Sequence, residues 1–184
     1  GEMADVIEAC KRGERIIVFL DDFGQGTTAV QSSWMRPIQD KMTITGESLA
    51  TASFVLATNG RTDGAGVSGI LEPIKSRCSW IVHLEPDLDD FCQFLYNMDA
   101  RPEIPAFLRM RPELLHKFER NADIQNFPCP RTWVQGVDPA LRAGFSPQVE
   151  LAAVSGAVGP GPAAEFTAFL RSFREMPNLD EIIR

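Results

Sequence analysis

The chain has 184 residues, of which 44% are hydrophobic and 23% charged, the profile of a soluble globular protein with room for one domain, or one domain and a small companion. Its net charge of −7 argues against general nucleic-acid binding, because phosphate contacts need clustered Lys and Arg. No stretch reaches the ~18 apolar residues of a membrane span, and the start carries no signal-peptide pattern.

The opening Gly1-Glu2-Met3 reads as a fragment, or as a short remnant ahead of Met3. Met3 to Lys11 sets Val6, Ile7 and Cys10 on one side of a short helix that Gly13 closes. The run Ile16-Ile17-Val18-Phe19-Leu20 then predicts a strand buried on both faces, as in parallel sheets. It ends in Asp21-Asp22. Strands of that kind deliver ligand-binding residues at their carboxyl ends, and adjacent carboxylates there invite a cation, most often Mg²⁺. An acidic turn or a helix cap is the plainer account of the pair.

Thr27 to Asp40 predicts a helix with Val30, Trp34 and Ile38 on its apolar stripe, Thr27 or Thr28 near its start, and a kink or early end at Pro37. Met42 to Ser48, with Gly46, reads as a short hairpin. Ser53 to Thr58 predicts a second buried strand, ending at Asn59-Gly60, itself a common turn pair. Arg61 to Ser68 is a Gly-rich loop. A short helix is expected at Ile70 to Lys75, then Arg77, then a third strand at Trp80 to Leu84. His83 and His116 are expected to be structural, and Trp80 and Trp133 to lie in the core.

Beyond Pro86 the pattern changes. Asp87 is a natural N-cap for a helix carrying Leu88, Phe91, Cys92 and Leu95. Helical patterns follow at 104–120, 131–143, 147–157 and 162–175, with a flexible turn from Gly156 to Pro162. The boundary is set near 86, between a sheet-containing half at 1–86 and an all-helical half at 87–184. Cys10, Cys78, Cys92 and Cys129 are scattered without a CxxC pair, which fits buried thiols in a reducing cytoplasm.

Polar groups thus stand at successive strand ends: Asp21-Asp22, then Asn59, then Arg77 ahead of the third strand. Arg131 opens a helix in the second half, inside Pro128-Cys129-Pro130-Arg131-Thr132-Trp133. In a parallel sheet the carboxyl ends share one edge, so the acidic pair and Asn59 would meet there. A Mg²⁺ binder, an amide to orient water and arginines for phosphate charge make up a phosphoryl-transfer set. Each feature alone has a plainer account, an isolated arginine usually being a solvated surface residue.

The phrases FLDDFGQ, FVLATNGRTDGAGVSGILEPIKSRC and CPRTW resemble the second half of an AAA+ ATPase, closest to the MoxR-like branch, over essentially the whole chain. The resemblance implies an α/β fold: a partial P-loop NTPase core with a parallel sheet, followed by an all-helical lid. It implies ATP and Mg²⁺ as cofactors, a ring of protomers, a hexamer in that family, and a protein client or adaptor. Within it, Asp21 would hold the Mg²⁺ shell, with Asp22 beside it polarising the attacking water. Asn59 corresponds to sensor 1, Arg77 to the arginine finger that serves the neighbouring protomer, and Arg131 to sensor 2 in the lid.

Two departures stand out. The family usually has Glu where this chain has Asp22, one methylene shorter, so slow hydrolysis or another base is an alternative. No GxxxxGK[ST] occurs in the chain, and Gly64-Ala65-Gly66 lacks the Lys and Ser/Thr that cradle phosphates. The isolated chain is therefore expected to bind ATP weakly or not at all, and a non-hydrolysing AAA+-like scaffold or binding protein is the alternative. A phospho-receiver domain is a further rival: Asp21-Asp22, Thr58 and Lys75 fit it, but its phosphoacceptor would have to be Asp40, preceded by no strand-like run.

Overall fold

The computed structural model describes residues 2–60, 69–118 and 125–175, so the Gly-rich loop at 61–68 lies outside the described residues. The chain divides into two compact units, Gly1–His83 and Leu84–Arg184. The first is mixed α/β with a two-stranded parallel sheet; the described elements of the second are helical.

In the first unit, α1 (Glu2–Lys11) leads to β1 (Ile16–Leu20), which pairs in parallel with β2 (Ala52–Leu56), Ile16 opposite Ala52 through Leu20 opposite Leu56. One 3₁₀ turn, Phe23–Gln25, follows β1. Then α2 (Thr28–Ser33) starts at Thr27, whose hydroxyl accepts the Val30 N–H at 3.3 Å. The helix expected over 27–40 breaks at Trp34 and resumes as α3 (Met35–Asp40). Pro37 is the cause: it has no N–H for the Ser33 carbonyl, and its ring collides with that carbonyl in an unbroken helix. The break shifts the buried stripe by one residue. Val30 is 49% exposed, whereas Gln31 is 1% exposed.

Met42 and Ser48 form an antiparallel bridge, closing the expected hairpin. Inside it the Thr43 and Thr45 hydroxyls donate to the Glu47 carboxylate and, with a backbone N–H, lower its pKa to about 2. The unit's core is Phe23, Ile38 and Ile74, the last on α4 (Glu72–Lys75), with Leu20, Trp34, Phe54 and Leu56 packed against it.

Two expectations fail here. The strands are covered on one face only: Ile17, Phe19 and Val55, on the other, are 73%, 59% and 46% exposed, and nothing among the described residues covers them. The run Trp80 to Leu84 forms no strand, and Trp80, Ile81, Val82 and Leu84 are 62% to 91% exposed. Its apolar pattern suits a strand, but a strand also needs a neighbour to take its backbone N–H and C=O groups, and none of the described residues supplies one. Trp80 and His83 are accordingly on the surface rather than structural.

In the second unit, Asp87 caps α5 (Leu88–Asn97), its Oδ1 accepting the Asp90 N–H at 2.9 Å. The helix expected over 104–120 ends early: α6 spans Glu103–Met110 and Arg111 leaves the helical region (φ −131, ψ 67). Pro112 explains this, since the residue before a proline is pushed out of the α region. After a 3₁₀ turn, Pro112–Leu114, the next helical run among the described residues is α7 (Pro130–Thr132), a π-turn at Trp133–Val137, and α8 (Asp138–Arg142). Pro139 accounts for the π-turn as Pro37 does for the break at Trp34. An α-helical bond to the Gln135 carbonyl is impossible, and Asp138 donates instead to Trp133, five residues back.

The flexible turn expected from Gly156 to Pro162 reduces to a single residue, Gly159 (φ 84), between α9 (Pro147–Val158) and α10 (Pro160–Glu175). Trp133 is fully buried, as expected, and its ring lies 5.8 Å from Phe107 and 5.4 Å from Phe166 by centroid. Its indole N–H donates to the Leu114 carbonyl at 2.9 Å. The buried acids Asp138 and Glu150 meet Arg142 and Arg174 at 2.7 and 2.8 Å, so neither charge is left uncompensated.

Candidate functional site

Directly after β1 the chain reverses at Asp22, which takes the left-handed conformation (φ 49, ψ 31) that Asp tolerates better than most residues. Its N–H donates to Asp21 Oδ1 at 3.0 Å. The reversal turns Phe23 into the core and leaves both carboxylates exposed.

The parallel ladder runs on past the strands. Ala57 N–H donates to the Leu20 carbonyl and Phe23 N–H to the Ala57 carbonyl, both at 2.9 Å. Asn59, exposed, follows Ala57 by two residues, so Asp21, Asp22 and Asn59 all leave the carboxyl edge of one sheet.

The donor set suits Mg²⁺ bound with a phosphate better than a free-standing metal centre. Mg²⁺ is normally held by one or two carboxylates, with substrate phosphates and waters completing its shell. Asp21 and Asp22 would supply the two carboxylates. Among the described residues, no group of three or more His, Cys, Asp or Glu side chains is gathered to hold a metal alone.

Arg77 stands just beyond α4 and is half-buried. Its Nε–H donates to Gln39 Oε1 on α3, and an η N–H donates to the Pro73 carbonyl. It shares the first unit with the acidic pair, though no hydrogen bond joins it to them among the described residues. Arg131 belongs to the second unit, on the short α7, where Thr132 Oγ1 accepts the Cys129 N–H at 3.0 Å. Its guanidinium is exposed and makes no hydrogen bond or ion pair among the described residues.

Asp40 closes α3 and is not at a strand end, so the phospho-receiver arrangement lacks its acceptor strand. A residue missed by the sequence reading is Gln31, whose buried side chain bridges the turn after Asp22 to the start of α4. The stripe through Trp34 and Ile38 passes through position 31 as readily as 30, which is the signal that was there to find.

Comparison with family models, curated proteins and solved structures found no match to this chain.

Proposed function

We propose that the chain is the part of an AAA+ ATPase module, of MoxR-like type, that runs from the water-activating strand through the helical lid. The whole protein would hydrolyse ATP in a ring of protomers, a hexamer, and use the energy to remodel a protein client. One observation carries the reading: the parallel register sends Asp21-Asp22 and Asn59 off the same sheet edge. Ligands in open α/β sheets bind at that edge.

On this reading Asp21 anchors the metal shell, Asp22 accepts a proton from the attacking water, and Asn59 orients that water. Mg²⁺, when bound, supplies charge neutralisation at the phosphates. Arg77 meets the charge developing on the γ-phosphate held by the adjacent protomer, and Arg131 couples nucleotide state to the lid. The chain contains no GxxxxGK[ST], so on its own it is expected to bind ATP weakly or not at all.

A second reading, an AAA+-like binding protein without turnover, is favoured by Asp22 standing where the family carries the longer Glu.

A mixing experiment tests the first reading in a polypeptide that joins this chain to a phosphate-binding segment. Rings of Arg77→Ala alone and of Asp22→Asn alone should be inactive, and mixed rings should regain part of the turnover. No recovery on mixing would show that Arg77 does not serve a neighbour's site.

A further inference from the structure

Gln31, on α2, is 1% exposed, and its carboxamide is engaged at both ends. Nε2 donates to the carbonyls of Gly26 at 3.0 Å and Gly69 at 3.1 Å, while Oε1 accepts the Leu71 N–H at 3.0 Å. Buried amides need such partners, but these come from two segments, Gly26 nearby and Gly69 with Leu71 lying 38 and 40 residues along the chain. Gly26 closes the 3₁₀ turn that follows Asp21-Asp22, and Leu71 is the N-cap residue of α4.

A helix of four residues has no stability of its own, because nucleation costs more than its few bonds return. α4 is held by Ile74, fully buried, by Ile70, Leu71 and Cys78 packed on the same core, and by the Gln31 bond at its first turn. Arg77 hangs from this element. Its N–H donates to the Ile74 carbonyl at 2.9 Å, and its guanidinium reaches back to the Pro73 carbonyl. Arg77 is also tied to α3 through its Nε–H bond to Gln39, so a segment released at Leu71 would pivot on Ile74 and move Arg77 by breaking that bond.

We propose that Gln31 is a positioning residue for Arg77: its carboxamide ties the acidic turn to the start of α4 and so fixes where the arginine stands. The geometry is independent of nucleotide; only the meaning of Arg77's position rests on the ATPase reading above.

The test is nitrogen-15 NMR on the 184-residue chain, with the Arg77 Nε–H signal identified by its loss in Arg77→Lys. Gln31→Ala removes the carboxamide, and Gln31→Met keeps comparable length without the hydrogen bonds. In both, hydrogen exchange at the Leu71 amide should quicken roughly tenfold or more, the cost of a lost buried bond. The Arg77 Nε–H signal should move to the position of a solvated arginine, while the Ala57 amide stays protected. The proposal is overturned if the Arg77 signal holds its place in both variants. It is equally overturned if Ala57 loses protection in both, since Gln31 would then support the whole unit. Failure of the ATPase reading would leave these signals as expected, so the two failures are distinguishable.

Discussion

The amide of Phe23 donates to the carbonyl of Ala57 at 2.9 Å, and this bond extends the pairing of β1 and β2 past the last residues of the strands. It helps set the acidic pair and Asn59 on the same edge of the sheet. Phe23 is held from two directions, by this bond and by its buried ring, so the reversal at Asp22 is set by its surroundings rather than by the turn alone.

In a polypeptide competent to bind ATP, Asp22→Asn should lower turnover by roughly 10²-fold or more, the usual contribution of a general base. Nucleotide affinity should be kept, so that ATP is trapped. Arg77→Ala should cost about 10³- to 10⁵-fold in kcat, the scale of an arginine finger, again with affinity retained. Single-turnover kinetics beside equilibrium binding of a slowly hydrolysed ATP analogue separates the two quantities. Loss of affinity in Arg77→Ala would mean that the arginine acts within its own subunit.

Gly136 lies in the π-turn, where an added Cβ would stand 2.6 Å from the Ala157 Cβ. Gly136→Ala gains about 1 kcal/mol of helix propensity. Overpacking of this kind costs ~1–3 kcal/mol, and a carbon–carbon approach this short belongs at its upper end. Net destabilisation of roughly 2 kcal/mol is expected, and Ala157→Gly in the same chain should recover it. Urea unfolding midpoints of the single and double variants give the answer.

Glu47 sets an acid-side dependence. Its folded pKa, lowered to about 2 by the Thr43 and Thr45 hydroxyls, lies below the unfolded value of 4.5. The hairpin is therefore supported in full above pH ~4.5, and that support fades as pH falls toward 2. A carboxyl NMR titration should show a Glu47 midpoint near 2. Replacing Thr43 and Thr45 with Val should return it toward the ordinary carboxylate range.

Substitutions on the bare sheet face should behave unlike core mutations. Ile17 and Phe19 are 73% and 59% exposed, so Ile17→Thr with Phe19→Thr should change stability by no more than about 0.5 kcal/mol per site. The same pair should reduce self-association, because exposed contiguous apolar surface promotes it. Light scattering together with urea unfolding checks both halves.

Much of this architecture was legible in the sequence where a residue's effect is local. Thr27 and Asp87 cap the helices they precede, and the apolar runs at 16–20 and 53–58 yield the two paired strands. What escaped depends on partners far along the chain. Trp80 to Leu84 has a strand's pattern, yet pattern alone does not supply a neighbouring edge. Pro37 is expected to kink its helix or end it early, and the helix does break at Trp34; the pattern over 131–143 gives no sign of the π-turn that precedes Pro139. Gln31 went unnoticed because its significance lies in carbonyls and an amide that only the folded chain brings together. Within the candidate site, the shared edge of Asp21, Asp22 and Asn59 was expected from strand order; the hydrogen bonds from Arg77 to Gln39 and Pro73 were not.

The central claim is that the acidic pair and Asn59 serve one nucleotide. Paramagnetic broadening by Mn²⁺-ATP, with Mn²⁺ in place of Mg²⁺, tests it most directly, because it registers weak binding. The amides of Asp21, Asp22, Phe23 and Asn59 should broaden together on titration, and Asp21→Asn with Asp22→Asn should abolish the effect at all four. Broadening that reaches the acidic pair and spares Asn59, or that survives removal of both carboxylates, would contradict the account.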